Sequence, residues 1–426
     1  MPSTIITSVH MGLGHLRAAH ALHRHITSTL FIEGQDVKTE AERAVWRDLK
    51  KTYYLLSKIG SLPLIGHFFD IILNTIEHIE PLYPSRPLSG STPAVLYLEY
   101  LLEHKKLSRT LIELLHDNPS NIITTFYATA AALDRKVPNS TIYSIICDTD
   151  FNRVWVPRKP ALSHIHYCTP CEKAARRLRS YGVSDENISI TGFPLPMSNI
   201  GSNEEIVTTD TIKRIMRLDR KKRITNSKYI DLKRATLPRE SQTAPITLLF
   251  AVGGAGAQTD NALDLLVGLK PLLSDGSIKL ILSAGINDKV LKRFHQFART
   301  SKCDQFVGSS LEFICESEPM RFFDRFNEAL RSTDLIITKP SELVFFAGLG
   351  IPFLLTRPIG PHESENLHWL EERHAGIGIR YPLKYIGEWL CDFLDDGIIA
   401  SMAWDAFQNI PRSGTRNVEN LLSRNT

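Results

Sequence analysis

Two series of short apolar runs, each run followed by a helical stretch, organise this sequence more than anything else in it. In the first series "TIITSV" precedes "HLRAAHALHRHI", "NIITTFY" precedes "ATAAALDRK", "TIYSIICDT" follows, and "HIHYCT" precedes "EKAARRLRSYG". In the second, "PITLLFAVGG" leads to "TDNALDLLVGL" and "IKLILSAG" to "KVLKRFHQFAR"; "DLIITKP" then leads to "SELVFFAGLG", and "IPFLLTR" to "ESENLHWLEERHAG". β-Branched runs with no polar alternation are strands buried on both faces, and the helices between them provide the cover. The pattern therefore predicts an α/β chain with parallel sheets. A polar, basic stretch interrupts it, so the expectation is two Rossmann-like domains, 1–200 and 244–399, joined by a linker or insertion over 201–243. Ligands of such folds gather at the carboxyl ends of the strands, here expected to face a central cleft.

The length of 426 residues suits two domains, and 43% hydrophobic with 23% charged residues is the balance of a globular protein. No basic segment leads into an apolar signal core, and no run approaches the length of a membrane span, so a cytoplasmic chain is expected. Six cysteines are then most simply reduced thiols. Cys168 and Cys171 form one CxxC after His164 and His166, but no second ligand pair accompanies them, so a strand-to-helix turn is the favoured reading over zinc. A formal charge of +4 gives no reason to expect nucleic acid. The basic residues do cluster: Lys213, Arg214, Arg217, Arg220, Lys221, Lys222 and Arg223 lie close together. A solvated linker face or a disordered insertion is the favoured reading there, with a contact to anionic lipid or polyphosphate as the alternative.

One segment departs from the regular pattern. Between Leu55 and Pro84, the residues Phe68, Phe69, Ile72, Leu73, Ile76 and Ile79 form one helical stripe, with Asp70, Asn74 and Glu77 opposite. Such a stripe usually packs on a core. The sharper reading is a surface element that touches a membrane or holds an apolar substrate tail.

The loop after the first strand reads "VHMGLGHLRAA". Arg17 stands where a dinucleotide fingerprint needs glycine, and no GK[ST] marks a P-loop. Gly12 and Gly14 still let a ligand approach the backbone. His15 begins the next helix, where the dipole favours a neutral imidazole able to act as a general base on a hydroxyl. In the second half, "FAVGGAGAQTD" is a further strand-to-helix turn whose glycines present N–H groups to an anion. In "TKPSEL", Pro340 fits a first helical turn. Glu342 either answers the helix dipole or accepts from two neighbouring ribose hydroxyls. His362, Glu363, Glu365 and Asn366 crowd the start of the next helix, and a Glu and an Asn three residues apart could hold sugar hydroxyls.

These motifs, in this order, resemble those of the GT-B glycosyltransferases. The chain is most similar to the branch that contains monogalactosyldiacylglycerol synthase and the N-acetylglucosaminyltransferase of the peptidoglycan lipid intermediate. The resemblance spans roughly 1–200 and 245–395. It implies that the histidine of Gly14-His15 activates the acceptor hydroxyl, with Gly12 and Gly14 in the acceptor loop. It implies contact of Gly254, Ala255 and Gly256 with the donor phosphates and of Glu342 with the donor ribose. It sets "HESEN" against the family's "QExxN", which puts Glu363 and Asn366 on the donor sugar with His362 in place of glutamine. The family's first-domain "TD…W" element is met by Asp148 and Trp155, with Asp150 the alternative to Asp148. In this architecture the terminal helix, here within 400–426, packs back on the first domain.

The reading that follows is an inverting glycosyltransferase moving a sugar from a nucleotide-sugar, most simply a UDP-sugar, to a hydroxyl acceptor. His15 takes the proton and Asp148 stands with it as a catalytic group, while no metal and no cofactor are required. A lipid acceptor, and a peripheral place on the inner face of a membrane, follow if the stripe over 55–84 is interfacial. A nucleotide-sugar 2-epimerase and a non-catalytic nucleotide-sugar-binding protein are the alternatives.

Overall fold

The apolar runs become strands. The computed structural model describes residues 3–59, 78–105, 107–117, 120–224, 244–253 and 256–424. In these, β1 (Thr4–Val9), β2 (Thr29–Glu33), β3 (Asn121–Thr124), β4 (Ile142–Ile145), β5 (Ile165–Thr169) and β6 (Ile188–Ile190) form one sheet in the order β2-β1-β3-β4-β5-β6. A second sheet holds β7 (Ile246–Ala251), β8 (Ile278–Gly285), β9 (Leu311–Cys315), β10 (Leu335–Thr338), β11 (Phe353–Leu355) and β12 (Gly376–Gly378) in the order β12-β11-β10-β7-β8-β9. Every pairing in both sheets is parallel. Each half is thus a doubly wound, Rossmann-like unit.

The strand order fixes where ligands can sit. In the first sheet the chain leaves β1 for β2 on one side and returns to β3 on the other. In the second it runs from β7 through β8 to β9 and then returns to β10 on the opposite side of β7. Connections diverge at β1/β3 and at β7/β10, which leaves a crevice beyond the carboxyl ends of each pair.

Contacts divide the chain into two units, Met1–Pro196 with Ile359–Asn366 and Pro411–Thr426, and Met197–Pro358 with Leu367–Ile410. In the first, Ala18, Ala19 and Leu22 are fully buried, and these mostly small side chains let the Gly14–His23 helix lie close on the sheet. The closing Gly414–Arg424 helix belongs to this unit. It is fastened by Thr415 Oγ1 donating to the Leu195 carbonyl (2.6 Å) and Asn417 Nδ2 donating to that of Thr191 (2.8 Å). A side chain at Gly414 would stand 2.2 Å from the Phe193 carbonyl oxygen, so the close approach requires glycine. Residues 398–409, by contrast, form a helix counted with the second unit, so the return to the first begins at Pro411.

The second unit buries all six residues of β7 together with Leu265, Leu266, Leu269, Phe294, Ile386 and Leu390. At about 1.5–3 kcal/mol for each large apolar side chain, this core is what holds the layers together. The expected linker over 201–243 is in part something else. Glu205–Leu218 is a helix of the second unit. Within it Arg214 is buried and donates to the carbonyls of Thr333 (2.8 Å) and Leu349 (2.9 Å). Arg217 pairs with the buried Asp334. Two of the clustered cations therefore serve the fold, because their long stems reach carbonyls and a carboxylate inside the unit.

Candidate functional site

In the first unit β1 runs into a loop in which Gly12 adopts a φ of +77°, and the helix starts at Gly14. His15 is therefore the second helical residue, half-buried at the β1 side of the β1/β3 crevice. Across the crevice the chain leaves β3 through Thr125 and Phe126. Thr125 ties the two strand ends, donating from N to the Thr7 carbonyl (3.1 Å) and from Oγ1 to Ser8 Oγ (2.9 Å). The ring of His15 meets Phe126 edge-on, with centroids 5.3 Å apart, and Trp155 at 6.2 Å. Tyr127 closes the group, 4.5 Å from Phe126 and 5.5 Å from Trp155. Packing against rings on two sides restricts the orientation of the imidazole.

Two other titratable groups lie near the ends of β1 and β2. Burial, helped by the Lys50 ammonium, depresses His10 to about 4, so it is neutral at physiological pH. Glu33 ends β2 and is buried; desolvation, with the Glu42 and Asp36 carboxylates adding to it, raises its carboxyl to about 8. Thr129 Oγ1 donates to its Oε1 at 3.3 Å, and the Ser108 hydroxyl also interacts with the carboxyl, both opposing the rise. This carboxyl is a neutral acid at pH 7.

Of the two acids after β4, Asp150 is spoken for. It is buried in a two-pronged pair with Arg177 (2.6 and 2.9 Å), a structural ion pair. Asp148 is half-buried and its Oδ1 accepts from Asn366 Nδ2 (3.1 Å). The Asn366 side-chain Oδ1 accepts from the N–H (3.0 Å) and the hydroxyl (2.9 Å) of Thr149. Asn366 has no exposed surface, and Glu363 is equally enclosed, accepting from the Ile359 N–H at 2.9 Å. Glu365 pairs with Lys173. The residues read as sugar contacts thus meet protein groups first, and His362 is left half-buried at the start of the Pro361–Glu371 helix.

In the second unit Gly254 and Ala255 lie outside the described residues. Next to them, Gly256 takes a φ of +76° and its N–H donates to the Gly253 carbonyl (2.8 Å). The helix begins only at Asn261, after a further turn at Gln258 and Thr259. Gln258 fastens this loop to the end of β11, donating to the Arg357 carbonyl (2.7 Å) and bonding Thr356 Oγ1. On the neighbouring strand β10, Thr338 Oγ1 donates to the Ala251 carbonyl (2.9 Å), and Lys339 follows directly. The Lys339 side chain passes over Gly253, with its Cε 2.7 Å from where a Cβ would stand.

Glu342 is half-buried and opens a 3₁₀ segment, Glu342–Leu349, capped by Ser341. Pro340 was expected in a first helical turn; it precedes the cap instead, because the Ser341 hydroxyl takes the Leu343 N–H. Lys339, Phe126 and Gln258 were not singled out from the sequence, although each stands beside a residue that was.

The CxxC is closed to ligands. Cys168 lies in β5 and Cys171 stands at the N-cap position of the Glu172–Ser180 helix, both buried, and burial pushes the Cys168 thiol up to about 12. Among the described residues no group of three or more His, Cys, Asp or Glu side chains is placed to hold a metal ion. No described helix is long and apolar enough to cross a membrane, and residues 60–77 of the apolar stripe lie outside the described residues.

No protein-family model matches the chain. A processive diacylglycerol beta-glucosyltransferase of Bacillus subtilis (strain 168) is 21% identical over 386 residues, which is 88% of this chain and 82% of that protein. Among solved structures, the S. aureus MnaA–UDP co-structure superposes with a TM-score of 0.50 at 13% identity, over 100% of this chain and 97% of that one. A putative UDP-N-acetylglucosamine 2-epimerase from Listeria monocytogenes gives a TM-score of 0.50 at 11% identity, over 99% and 95% of the two chains. At such identities the structural likeness speaks for the fold alone.

Proposed function

We propose that this chain, a glycosyltransferase of the GT-B fold, moves a sugar from a UDP-sugar to a hydroxyl carried by a lipid, with inversion at the anomeric carbon. The observation that carries the reading is the placement of His15. It is half-buried at the β1/β3 crevice, with its ring held by Phe126 and Trp155. That is where a general base on an acceptor hydroxyl belongs in a doubly wound sheet.

In the proposed step the acceptor oxygen attacks the anomeric carbon while the His15 imidazole takes its proton. The new C–O bond forms as the bond from that carbon to the diphosphate breaks, and the electron pair leaves with UDP. The second unit supplies the donor side. In the proposed reading the glycine turn after β7 receives the phosphates and Glu342 accepts from the ribose hydroxyls, while His362, from the first unit, meets the sugar. Asn366, Glu363 and Asp148 set the loop that carries His362. UDP is supported by the co-structure of the S. aureus neighbour, and a diacylglycerol acceptor by the name of the B. subtilis relative. A lipid acceptor implies work at a membrane surface, with the 55–84 segment the proposed contact.

The test is an incubation of the purified chain with a panel of UDP-sugars, with and without vesicles containing diacylglycerol. Glycolipid formed only when diacylglycerol is present supports the reading. Epimerised nucleotide sugar formed without acceptor would replace it with an epimerase, and ligand binding without any product would replace it with a non-catalytic binder.

A further inference from the structure

We propose that Glu33 is a positioning residue for the His15 base, a role that rests on the transferase reading above. Its proton is a latch that seats the Glu40–Ile59 helix on the end of β2, and with it the aromatic wall beside the imidazole. Glu33 closes β2 and Gly34 follows, with a φ of +79°. A side chain at Gly34 would stand 2.8 Å from Trp46 Cβ, so the helix lies as near to this turn as glycine allows. The buried Trp46 ring then reaches Phe126, with centroids 6.1 Å apart, and Phe126 is the ring that His15 meets edge-on. A second route runs through Thr129, which donates to Glu33 from the Tyr127–Lys136 helix, two residues past the Tyr127 of the same wall.

The charged groups that face Glu33 are acids. Glu42, one helical turn before Trp46, is buried as Glu33 is. It accepts from the N–H (3.2 Å) and the hydroxyl (2.6 Å) of Thr110, at the start of the Arg109–Asp117 helix, where the dipole favours a carboxylate. Asp36, in the turn after β2, accepts from the Ile32 N–H at 2.7 Å. Ser108 and Thr129 bring hydroxyls to the carboxyl, and Lys50, farther along the Glu40–Ile59 helix, lies near His10 at the end of β1. In these surroundings a neutral Glu33 packs without penalty. Loss of its proton sets a second negative charge beside Glu42 in a place closed to water. The helix relieves that charge by moving off β2 and admitting water, and Trp46 withdraws from Phe126 as it goes. A general base works in its neutral form, so rising pH does not remove His15 from service. The alkaline limit on turnover then belongs to Glu33, whose carboxyl burial raises to about 8.

Two readings of the full chain between pH 7 and pH 10 test the latch: kcat with diacylglycerol vesicles, and hydrogen-exchange protection of residues 40–47. Wild type, Glu33→Gln and Thr129→Val are compared. In the wild type kcat and protection should both fall about tenfold on the alkaline side, well below the pH of global unfolding. Glu33→Gln cannot ionise and should hold both within about twofold over the same range. Thr129→Val removes a hydroxyl that favours the carboxylate, so its fall should begin at higher pH. An alkaline fall in Glu33→Gln equal to that of the wild type would overturn the latch, as would wild-type protection that does not change with pH. Should Glu33→Gln fail to fold, a Thr129→Val profile that is unshifted or moved to lower pH overturns it. If no sugar is transferred at any pH, the transferase reading falls, and protection of 40–47 alone settles whether Glu33 seats the helix.

Discussion

The ring of His15 stands edge-on to that of Phe126, with centroids 5.3 Å apart and planes at 76°. The two residues leave neighbouring strands, β1 and β3, so the sheet itself sets their spacing. Phe126 is buried, and shortening it to leucine should cost about 1–2 kcal/mol of stability without unfolding the chain. If the ring holds the imidazole in its productive orientation, kcat of Phe126→Leu falls about tenfold while the Kd for UDP stays at the wild-type value. Steady-state kinetics beside UDP titration separates the two.

Gly253→Ala places a methyl group against Lys339 Cε, and the flexible lysine rather than the backbone has to give way. Unfolding free energy should change by less than about 1 kcal/mol. UDP affinity should fall severalfold all the same, because the proposed donor site has the phosphates approach the backbone at this turn. Denaturant melts and UDP titration of one sample check both halves.

Glu33 should make stability fall as pH rises from about 4.5 to about 8. Its folded-state carboxyl is raised from 4.5 to about 8, first by burial and then by the neighbouring Glu42 and Asp36. The unfolded chain therefore loses this proton first as pH rises. The contribution is fully present below about 4.5 and is lost through about 8, at up to roughly 1 kcal/mol per pH unit. Glu33→Gln keeps the shape and cannot ionise. Denaturant unfolding at pH 6 and pH 9 should find the variant the more stable of the two proteins at pH 9.

Asn366→Ala leaves the fully enclosed Thr149 without an acceptor for its N–H and hydroxyl. A loss of about 1–3 kcal/mol is expected, read as a lowered Tm. Asn366→Asp should do worse, since it sets a second carboxylate beside Asp148, which now accepts from Asn366 at 3.1 Å.

The strands were legible because unbroken apolar runs such as "TLLFA" have no other stable use in a chain of this composition. The turns at Gly12 and Gly256 were legible because their backbones need φ values that glycine adopts freely. What lies between strands was harder. Arg214 and Arg217 read as solvated charge, since nothing local announces the carbonyls and the buried Asp334 that receive them. Glu363 and Asn366 read as ligand groups because a polar side chain at a helix start looks the same whether its partner is a sugar or Ile359 and Thr149. The meeting of Gly253 with Lys339 is set by sheet order, which the sequence does not spell out.

The most direct measurement is the turnover of His15→Ala with a UDP-sugar and a diacylglycerol acceptor, taken together with its affinity for UDP. The account predicts that kcat/KM falls by roughly a hundredfold or more while the Kd for UDP stays within about twofold. Turnover equal to that of the wild type would contradict it.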